Sequence, residues 1–331
     1  MSKLEEVVQR YLDLGINQQI DYKKFYLYSI ITHSTAIEGS TVTELENQLL
    51  FDEGITSKGK TLTELQMNLD LKAAYEESLM LANKHAEISI EMLRHLASIV
   101  MKGTGKTYRT ALGDFSSAKG DLRLLNVTAG VGGRSYMSFN KVPQKMKEFC
   151  QDLNEARKNA SNLSVQQRYD MCFDAHYQLV TIHPWADGNG RMSRLLMNHL
   201  QFELDIIPTK ILKEDKEEYI KALIETREQD NLQIFRDFMS EKMVKNLNNE
   251  IELYLQSTEE TEGENKINRE KKLKSREKIL ELLAENPFLT ISGLSAAVGI
   301  GTKAIEKQLA KLKAEGRLKR VGPDKGGHWE L

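Results

Sequence analysis

Several residue types are scarce in this chain of 331 residues, and each scarcity narrows what the protein can be. Its only 2 cysteines, Cys150 and Cys172, form no metal or redox motif and fit a reducing cytoplasm. Only 5 prolines and few β-branched clusters indicate a mainly α fold. No run approaches the roughly 20 apolar residues of a membrane helix, and the first residues lack a secretion signal. We therefore expect a cytoplasmic protein without membrane contact.

The net charge of −2 hides an asymmetry along the chain. From Lys266 to Leu331 there are 15 Lys and Arg against 8 Asp and Glu, whereas the rest has 31 against 40. A change of sign predicts a domain boundary, and the polar stretch 256–265 reads as a linker or a solvated helix end. We predict, in chain order, an N-terminal helical region at 1–90, a core at 91–250, a linker at 251–268 and a C-terminal domain at 269–331.

The stretch His183–Arg194 carries more chemistry than any other segment. Apolar residues at helical spacing lead into it from Tyr169 to Val180, and others follow at Met192 and Leu195. The pattern predicts a helix, a tight loop and a second helix.

The loop suits a phosphate. Backbone N–H groups of Gly188, Asn189 and Gly190 would stand at the start of the second helix, where anions bind readily. Arg191 and Arg194 are three apart and share a helix face.

Two further side chains suit a metal ion and a proton transfer. Asp187 suits Mg²⁺, which proteins hold with one or two carboxylates plus phosphates. His183 has an unperturbed pKa near neutrality, as a general base needs. The plain alternative is a Gly-rich turn with solvated side chains, but these seven residues together favour a functional site.

The order of these residues resembles the Fic signature, His-x-Phe-x-Asp/Glu-Gly-Asn-Gly-Arg-x-x-Arg, with Trp185 where the family usually has Phe. We expect Trp185 to be buried under the loop. The resemblance implies a helical Fic core and an enzyme that transfers AMP from ATP to a Ser, Thr or Tyr hydroxyl of a protein; whether this chain is itself a target stays open. It implies that His183 is the general base and Asp187 the Mg²⁺ ligand. It also implies a phosphate-binding set: Gly188, Asn189, Gly190, Arg191 and Arg194.

A second motif lies far upstream, at Ser34–Gly39. It matches Ser/Thr-x-x-x-Glu-Gly/Asn, with Ser34 and Glu38 as its signature residues, and resembles the N-terminal inhibitory helix of one Fic class. Alone, the motif is a common helix ending with Gly39 as its cap. Beside the loop, it implies that Glu38 pairs with Arg194, for which the γ-phosphate of ATP would compete.

A Gly-rich stretch between the two motifs, from Tyr108 to Met137, predicts a short β-hairpin. The stretch resembles the Fic flap, which holds a target segment by strand addition, while a plain surface hairpin stays open. The nearby Gly103–Thr107 looks like a P-loop, but Val100 stands where that motif needs Gly, so we expect a helix ending. Further upstream, capping boxes at Thr43 and Thr61 predict helix starts.

The C-terminal segment predicts a winged helix. An apolar helix ends at Pro287, Thr290 caps a short helix, and the Gly299–Gly301 turn leads to a third helix. Residues Leu318–Val321 and His328–Leu331 predict a two-stranded wing. The segment resembles winged helix-turn-helix modules, including those appended to Fic domains.

Basic side chains on the third helix and the wing suggest a DNA-binding surface. Lys303, Lys307 and Lys311 are four apart on the third helix, and Arg320 and Lys325 lie at the wing. Such a stripe can neutralise phosphates. A protein-binding winged helix whose lysines are merely solvated stays open, since no Arg, Asn or Gln cluster indicates base readout.

Two classes of function follow. The leading hypothesis is Mg²⁺-dependent AMP transfer from ATP to a protein hydroxyl, held off by Glu38; at the same site, Glu38 could instead orient water that removes AMP. The other class is a DNA-binding regulator whose Fic fold only senses nucleotide, although sensing needs no base such as His183. The expected partners are ATP, a protein target, and DNA or protein at the winged helix; a homodimer is left open.

Overall fold

Helices make up most of the chain, as predicted. The computed structural model describes residues 1–129, 134–323 and 326–331, and for 259–271 and 273 it describes the backbone alone. In chain order the α-helices of these residues are α1 (Lys3–Asp13), α2 (Tyr22–Ile37), α3 (Glu44–Glu53), α4 (Leu62–Asn83), α5 (Ile90–Val100), α6 (Val142–Lys158), α7 (Val165–Ile182), α8 (Asn189–Glu203), α9 (Lys216–Gln229), α10 (Leu232–Glu285), α11 (Ile291–Val298) and α12 (Thr302–Ala314).

The predicted β-hairpin proves to be two separate ladders. Strand β1 (Thr107–Thr110) pairs antiparallel with β2 (Gly113–Ser116). Farther along, Thr128 bridges Ser135 and the Tyr136 N–H donates to the Val127 carbonyl at 3.0 Å. The division arises because Gly113, at a φ of 117°, closes the first turn after only two residues. Three glycines that suggested a single hairpin lie outside the described residues: Gly130, Gly132 and Gly133.

The N-terminal helices and the core form one compact unit, Met1–Ile251. The predicted capping boxes are present at Thr43 and Thr61, where α3 and α4 begin. Helix α8 packs against α2, α4, α5 and α7, and all its residues from Arg191 to Gln201 are buried. Its polar side chains there find partners, such as Asn198, which accepts from the Tyr75 hydroxyl of α4 at 2.7 Å.

The P-loop look-alike is a helix ending, as expected. Helix α5 ends at Val100, and the turn that follows is held by the Gly103 N–H, which donates to Asp70 Oδ2 at 2.6 Å. The glycines here therefore shape a turn against α4.

The stretch 251–268, predicted as a linker, has helical backbone, because α10 runs unbroken from Leu232 to Glu285. Its acidic and basic residues are good helix formers, and the helix contains no proline and a single glycine, Gly263. The division between the two compact units, Met1–Ile251 and Glu252–Leu331, falls inside this helix.

The C-terminal unit has the predicted winged-helix elements. Thr290 caps α11 by accepting from the Gly293 N–H, and α12 begins after Gly301. Strands β3 (Lys319–Val321) and β4 (His328–Glu330) pair antiparallel. Its buried core is Ile279, Leu283, Leu294, Ile305, Leu309, Leu312, Leu318 and Trp329.

No helix in the described part of the chain combines the length and the apolar character that crossing a membrane would require.

Candidate active site

The loop that joins α7 to α8 begins with an unusual backbone conformation. His183 directly follows α7 with φ 52° and ψ 59°, and its N–H donates to the Leu179 carbonyl at 3.0 Å. Positive φ is uncommon outside glycine, although histidine tolerates it better than most residues. Strained positions of this kind cluster at functional sites.

Two hydrogen bonds between Asn189 and Trp185 hold the loop together from inside. The Trp185 N–H donates to Asn189 Oδ1 at 3.0 Å, and Asn189 Nδ2 donates back to the Trp185 carbonyl at 2.9 Å. The Trp185 ring is buried, as expected, and its Nε1–H donates to the Gly120 carbonyl at 3.2 Å. A phenylalanine could not form the last bond, so Trp185 adds an anchor to the loop.

The imidazole of His183 is set up as a proton acceptor. Its Nδ1 lies 3.2 Å from the Val180 carbonyl, so a proton on Nδ1 donates there and Nε2 keeps its lone pair. Burial lowers the pKa of His183 to about 4, helped by the charge of Arg123 and opposed by the Val180 carbonyl and Glu38. The ring of Tyr136 stacks on the imidazole, with centroids 3.8 Å apart and planes 16° apart.

The N-terminus of α8 faces the carboxylate of Glu38. Gly188 has a φ of 81°, and Asn189 and Gly190 open the helix, where the first N–H groups have no intrahelical partner. A Cβ on Gly190 would lie 2.7 Å from Glu38 Oε1, so the carboxylate rests directly on this turn. Anions favour this position at a helix N-terminus.

The predicted pair of Glu38 and Arg194 is present. Arg194 is buried, and its Nη2 donates to Glu38 Oε1 at 2.5 Å and to the Ser34 carbonyl at 3.0 Å. Its Nε donates to Ser34 Oγ at 2.8 Å, so both signature residues of the upstream motif hold this arginine. Burial alone would raise the pKa of Glu38, but Arg194, with Arg191 and Lys216, keeps it below its ordinary value.

Comparisons with known proteins agree with this geometry. Residues 87–201 match the family model of the Fic/DOC family, and residues 274–318 match that of the bacterial regulatory protein, arsR family. Residues 87–201 are a Fic domain. The chain is 27% identical over 201 residues to protein adenylyltransferase fic-1 of Caenorhabditis elegans, which covers 60% of this chain and 36% of that protein. It is 29% identical over 251 residues to protein adenylyltransferase Fic of Culex quinquefasciatus, covering 75% and 45%. The chain thus spans less than half of these relatives' length.

Solved structures share the fold. A Fic domain containing signaling protein from Bacteroides thetaiotaomicron superposes with a TM-score of 0.62 at 21% identity, over 75% of this chain and 94% of that one. A Fic family protein from Desulfovibrio desulfuricans superposes with a TM-score of 0.61 at 18% identity, over 99% and 93%. These similarities establish the architecture around the Fic domain.

Arg191, the other arginine of the Fic motif, points away from Glu38 and toward the end of α5. Arg191 Nη1 donates to the Val100 carbonyl at 3.3 Å, and its Nη2 lies 3.0 Å from Met101 Sδ and 3.9 Å from Asp187 Oδ1. Its buried Nε has no hydrogen-bond partner. The structure therefore turns Arg191 toward the end of α5, whereas Arg194 turns toward α2.

Asp187 is the exposed acid of the Fic loop, with 60% of its side chain accessible. Its Oδ1 accepts from the Gly188 N–H at 2.6 Å. Among the described residues, no group of three or more His, Cys, Asp or Glu side chains could hold a metal ion. A single accessible carboxylate fits Mg²⁺ only if nucleotide phosphates supply the other ligands, which is its usual coordination with nucleotides.

The sequence prediction missed two residues that contact His183. Arg123 donates through Nε to the His183 carbonyl at 2.7 Å, and Tyr136 stacks on the His183 ring. Arg123 is a charged residue between Leu122 and Leu124, and this pattern was its only sequence signal. Nothing local marks Tyr136, because its contact is with a residue 47 positions farther along the chain.

Proposed function

We propose that this chain is a protein adenylyltransferase that transfers AMP from ATP to a Ser, Thr or Tyr hydroxyl of a protein and is restrained by Glu38. One observation carries the proposal: a single loop brings the free Nε2 of His183 and the carboxylate of Asp187 to a helix start that already faces an anion. The Fic domain and the names of its relatives support the same activity.

The chemistry follows from these positions. The target hydroxyl oxygen attacks the α-phosphorus of ATP, the bond to the bridging oxygen breaks, pyrophosphate leaves, and His183 Nε2 takes the hydroxyl proton. Because burial lowers the pKa of His183 to about 4, the imidazole is neutral and ready to accept at pH 7. The N–H groups of Asn189 and Gly190 would hold phosphate oxygens. Bound Mg²⁺ would offset phosphate charge, and Asp187 would hold it.

Glu38 restrains transfer by occupying the place of a phosphate. Its carboxylate lies on the Gly190 turn and 2.5 Å from Arg194 Nη2. A γ-phosphate needs the same guanidinium, so the two anions compete. While Glu38 holds Arg194, the nucleotide binds displaced, and its α-phosphorus is out of line with the target hydroxyl. Alignment of reacting groups is worth about 7–11 kcal/mol at most, so a small displacement is enough.

Radiolabelled ATP tests the reaction. The purified Glu38→Gly variant is incubated with Mg²⁺ and ATP carrying the label on either the α- or the γ-phosphate; with cell lysate, the α label alone is used. We expect covalent protein label from the α position only, and none from Glu38→Gly combined with His183→Ala. Label from the γ position, or no label from either, would rule out AMP transfer.

A second activity at the same site is removal of AMP from a modified protein. Glu38 supports it, because its carboxylate rests on the Gly190 turn of the loop that carries His183 and would orient an attacking water there. Protein modified by the Glu38→Gly variant and then mixed with wild type would lose its label. If the label persists with wild type and Mg²⁺, the hydrolytic activity is excluded.

For the C-terminal unit we propose weak, sequence-tolerant DNA contact. Lys303, Lys307 and Lys311 are all exposed on α12, and the match to a bacterial regulatory family supports this. Lys325, predicted at the wing, lies outside the described residues, and Arg320 lies over the Trp329 ring at 4.8 Å. A protein partner there, and a homodimer, stay predictions.

We also propose the cytoplasm as the compartment. Its support is that Cys150 and Cys172 are both buried free thiols.

A further inference from the structure

Arg123 is a buried arginine whose hydrogen bonds end on backbone carbonyls. Only 1% of the residue is exposed. Its Nε donates to the His183 carbonyl at 2.7 Å and its Nη1 to the Leu125 carbonyl at 2.8 Å, and its Nη2 donates to the Met137 carbonyl. Burial lowers the pKa of Arg123. A guanidinium so placed is costly unless its donors are satisfied, and three carbonyls satisfy it here.

These bonds connect two separate parts of the site. Leu125 and Met137 flank the ladder formed by Thr128 and Ser135, one on each side. His183 belongs to the catalytic loop, and the Arg123 N–H also donates to the next carbonyl of that loop, Pro184, at 3.0 Å. Arg123 therefore connects the segments on both sides of the Thr128–Ser135 bridge to the loop that carries His183.

The consequence of this tie is visible at Tyr136, the neighbour of Met137. Its ring covers the His183 imidazole at 3.8 Å, and the Arg227 guanidinium lies 5.9 Å from the centre of the same ring. The covered face of His183 is removed from water. The position of the Tyr136 ring therefore depends on the bond between Arg123 and the Met137 carbonyl.

We propose that Arg123 is a positioning residue for AMP transfer: it fixes the register between the paired segments 127–129 and 134–136 and the catalytic loop, so that Tyr136 and His183 keep one arrangement. The inference rests on the proposed function for its catalytic consequence, but the register itself is a property of the protein without nucleotide. Lysine cannot replace Arg123, because a single ammonium cannot reproduce the planar fork that reaches three carbonyls.

The test is the variant Arg123→Lys, which keeps the positive charge. The charged groups that act on the imidazole are Arg123 and Glu38. Because Arg123→Lys keeps both charges, a changed titration of His183 reports a change of geometry. With ¹³C-labelled histidine and NMR, we expect the pKa of His183 to rise from about 4 toward its ordinary value, because Tyr136 no longer covers the ring. In the Glu38→Gly background we expect kcat for AMP transfer to fall by about 10²-fold, with ATP affinity unchanged.

The matched control is Arg94→Lys. Arg94 is more exposed, and its Nε also donates to a backbone carbonyl, that of Gly120, at 3.2 Å. We expect this variant to keep both the His183 titration and kcat. A folded Arg123→Lys protein with wild-type titration and wild-type kcat would overturn the proposal.

A second pair of variants covers the case in which Arg123→Lys does not fold. Tyr136 is half-buried on the hairpin, so Tyr136→Ala should fold and raise the pKa of His183, whereas Tyr136→Phe keeps the stacked ring and the wild-type titration. If Arg123→Lys folds, adding it to Tyr136→Ala should raise that pKa no further. An unchanged pKa in Tyr136→Ala would overturn the proposal. If no variant transfers AMP, the proposed function fails, while the titrations still decide the register.

Discussion

At the scale of single residues, surroundings separate His183 from the other buried histidines. Burial also lowers the pKa of His176 to about 3 and that of His199 to about 4. Those two rings are core residues, since His176 meets the Tyr219 hydroxyl at 2.9 Å and His199 meets Ser78 at 3.0 Å. A lowered pKa therefore does not identify the base. His183 is distinguished by its loop and by an Nδ1 that is committed to a carbonyl.

The first prediction concerns that base. His183→Ala should lose AMP transfer by about 10²–10⁴-fold, the usual worth of a general base, while Mg-ATP affinity measured by calorimetry stays near wild type. His85→Ala is the control, because His85 also has a positive φ, 48°, but lies at the surface. Transfer by His183→Ala at the rate of the control would contradict the assignment.

The second prediction is the pH dependence of transfer by the Glu38→Gly variant. A base must be neutral to act, and the pKa of His183 is lowered to about 4, so its neutral form persists from pH 8 down to about pH 5. Removing Glu38 takes away a charge that raises this pKa, so it cannot move the limit upward. We expect kcat/KM to fall on the acid side near pH 4. An acid limb near pH 6.5, the ordinary value for histidine, would mean that the base is not buried in the working enzyme.

At the scale of elements, the end of α2 is fixed by a buried amide of α4. Asn68 Nδ2 donates to Ser40 Oγ at 3.1 Å and to the Glu64 carbonyl at 2.9 Å. Its Oδ1 accepts from Thr35 Oγ1 at 2.8 Å and from Asn47 Nδ2 at 2.9 Å. Thr35 and Ser40 lie on either side of Glu38 in the sequence, so Asn68 holds the segment that presents the Glu38 carboxylate.

The third prediction follows from this network. Asn68→Ala should lower the free energy of unfolding by about 1–3 kcal/mol, since it leaves buried polar groups unpaired. It should also raise basal AMP transfer of the chain with Glu38 intact, because the carboxylate is less firmly placed. Asn83→Ala, at the exposed end of α4, serves as the control in denaturant titrations and transfer assays. A destabilised Asn68→Ala protein with wild-type transfer would show that the network stabilises the fold without placing Glu38.

Elements with local signals could be predicted, and those with distant partners could not. The loop at His183–Arg194 and the Glu38 motif follow local patterns, and so do the helix caps at Thr43 and Thr61. The place of Arg123 depends on contacts between segments far apart in sequence, such as its bond to the His183 carbonyl, and no local pattern specifies these contacts. For the stretch 256–265 the sequence left a linker and a solvated helix end open, because a polar stretch without apolar residues is typical of both; its backbone is helical.

At the scale of the whole molecule, an acidic unit with the Fic domain is followed by a basic unit. The charge changes sign near Lys266, and the compact units divide within the same long helix, α10. The Fic loop belongs to the first unit, and the exposed lysines of α12 belong to the second. Net positive charge steers binding to nucleic acid without sequence specificity.

The fourth prediction tests that surface in the full chain. We expect weak duplex DNA binding at low salt that falls as salt rises, and a shallower salt dependence after Lys303→Ala, Lys307→Ala and Lys311→Ala are combined. The control combines alanines at three exposed lysines of α6: Lys145, Lys147 and Lys158. Equal binding by both triple variants, or none by wild type at low salt, would favour a protein contact.

The central claim is that Glu38 restrains an AMP-transferring Fic site by holding Arg194, and one measurement tests it most directly. Self-modification with ATP and Mg²⁺ is followed by intact-protein mass for wild type, Glu38→Gly, and Glu38→Gly combined with Arg194→Ala. We predict little AMP on wild type, clear addition on Glu38→Gly, and a return to little on the double variant, since the freed guanidinium is what the γ-phosphate needs. A Glu38→Gly protein no more modified than wild type, on itself or in lysate, would contradict the claim.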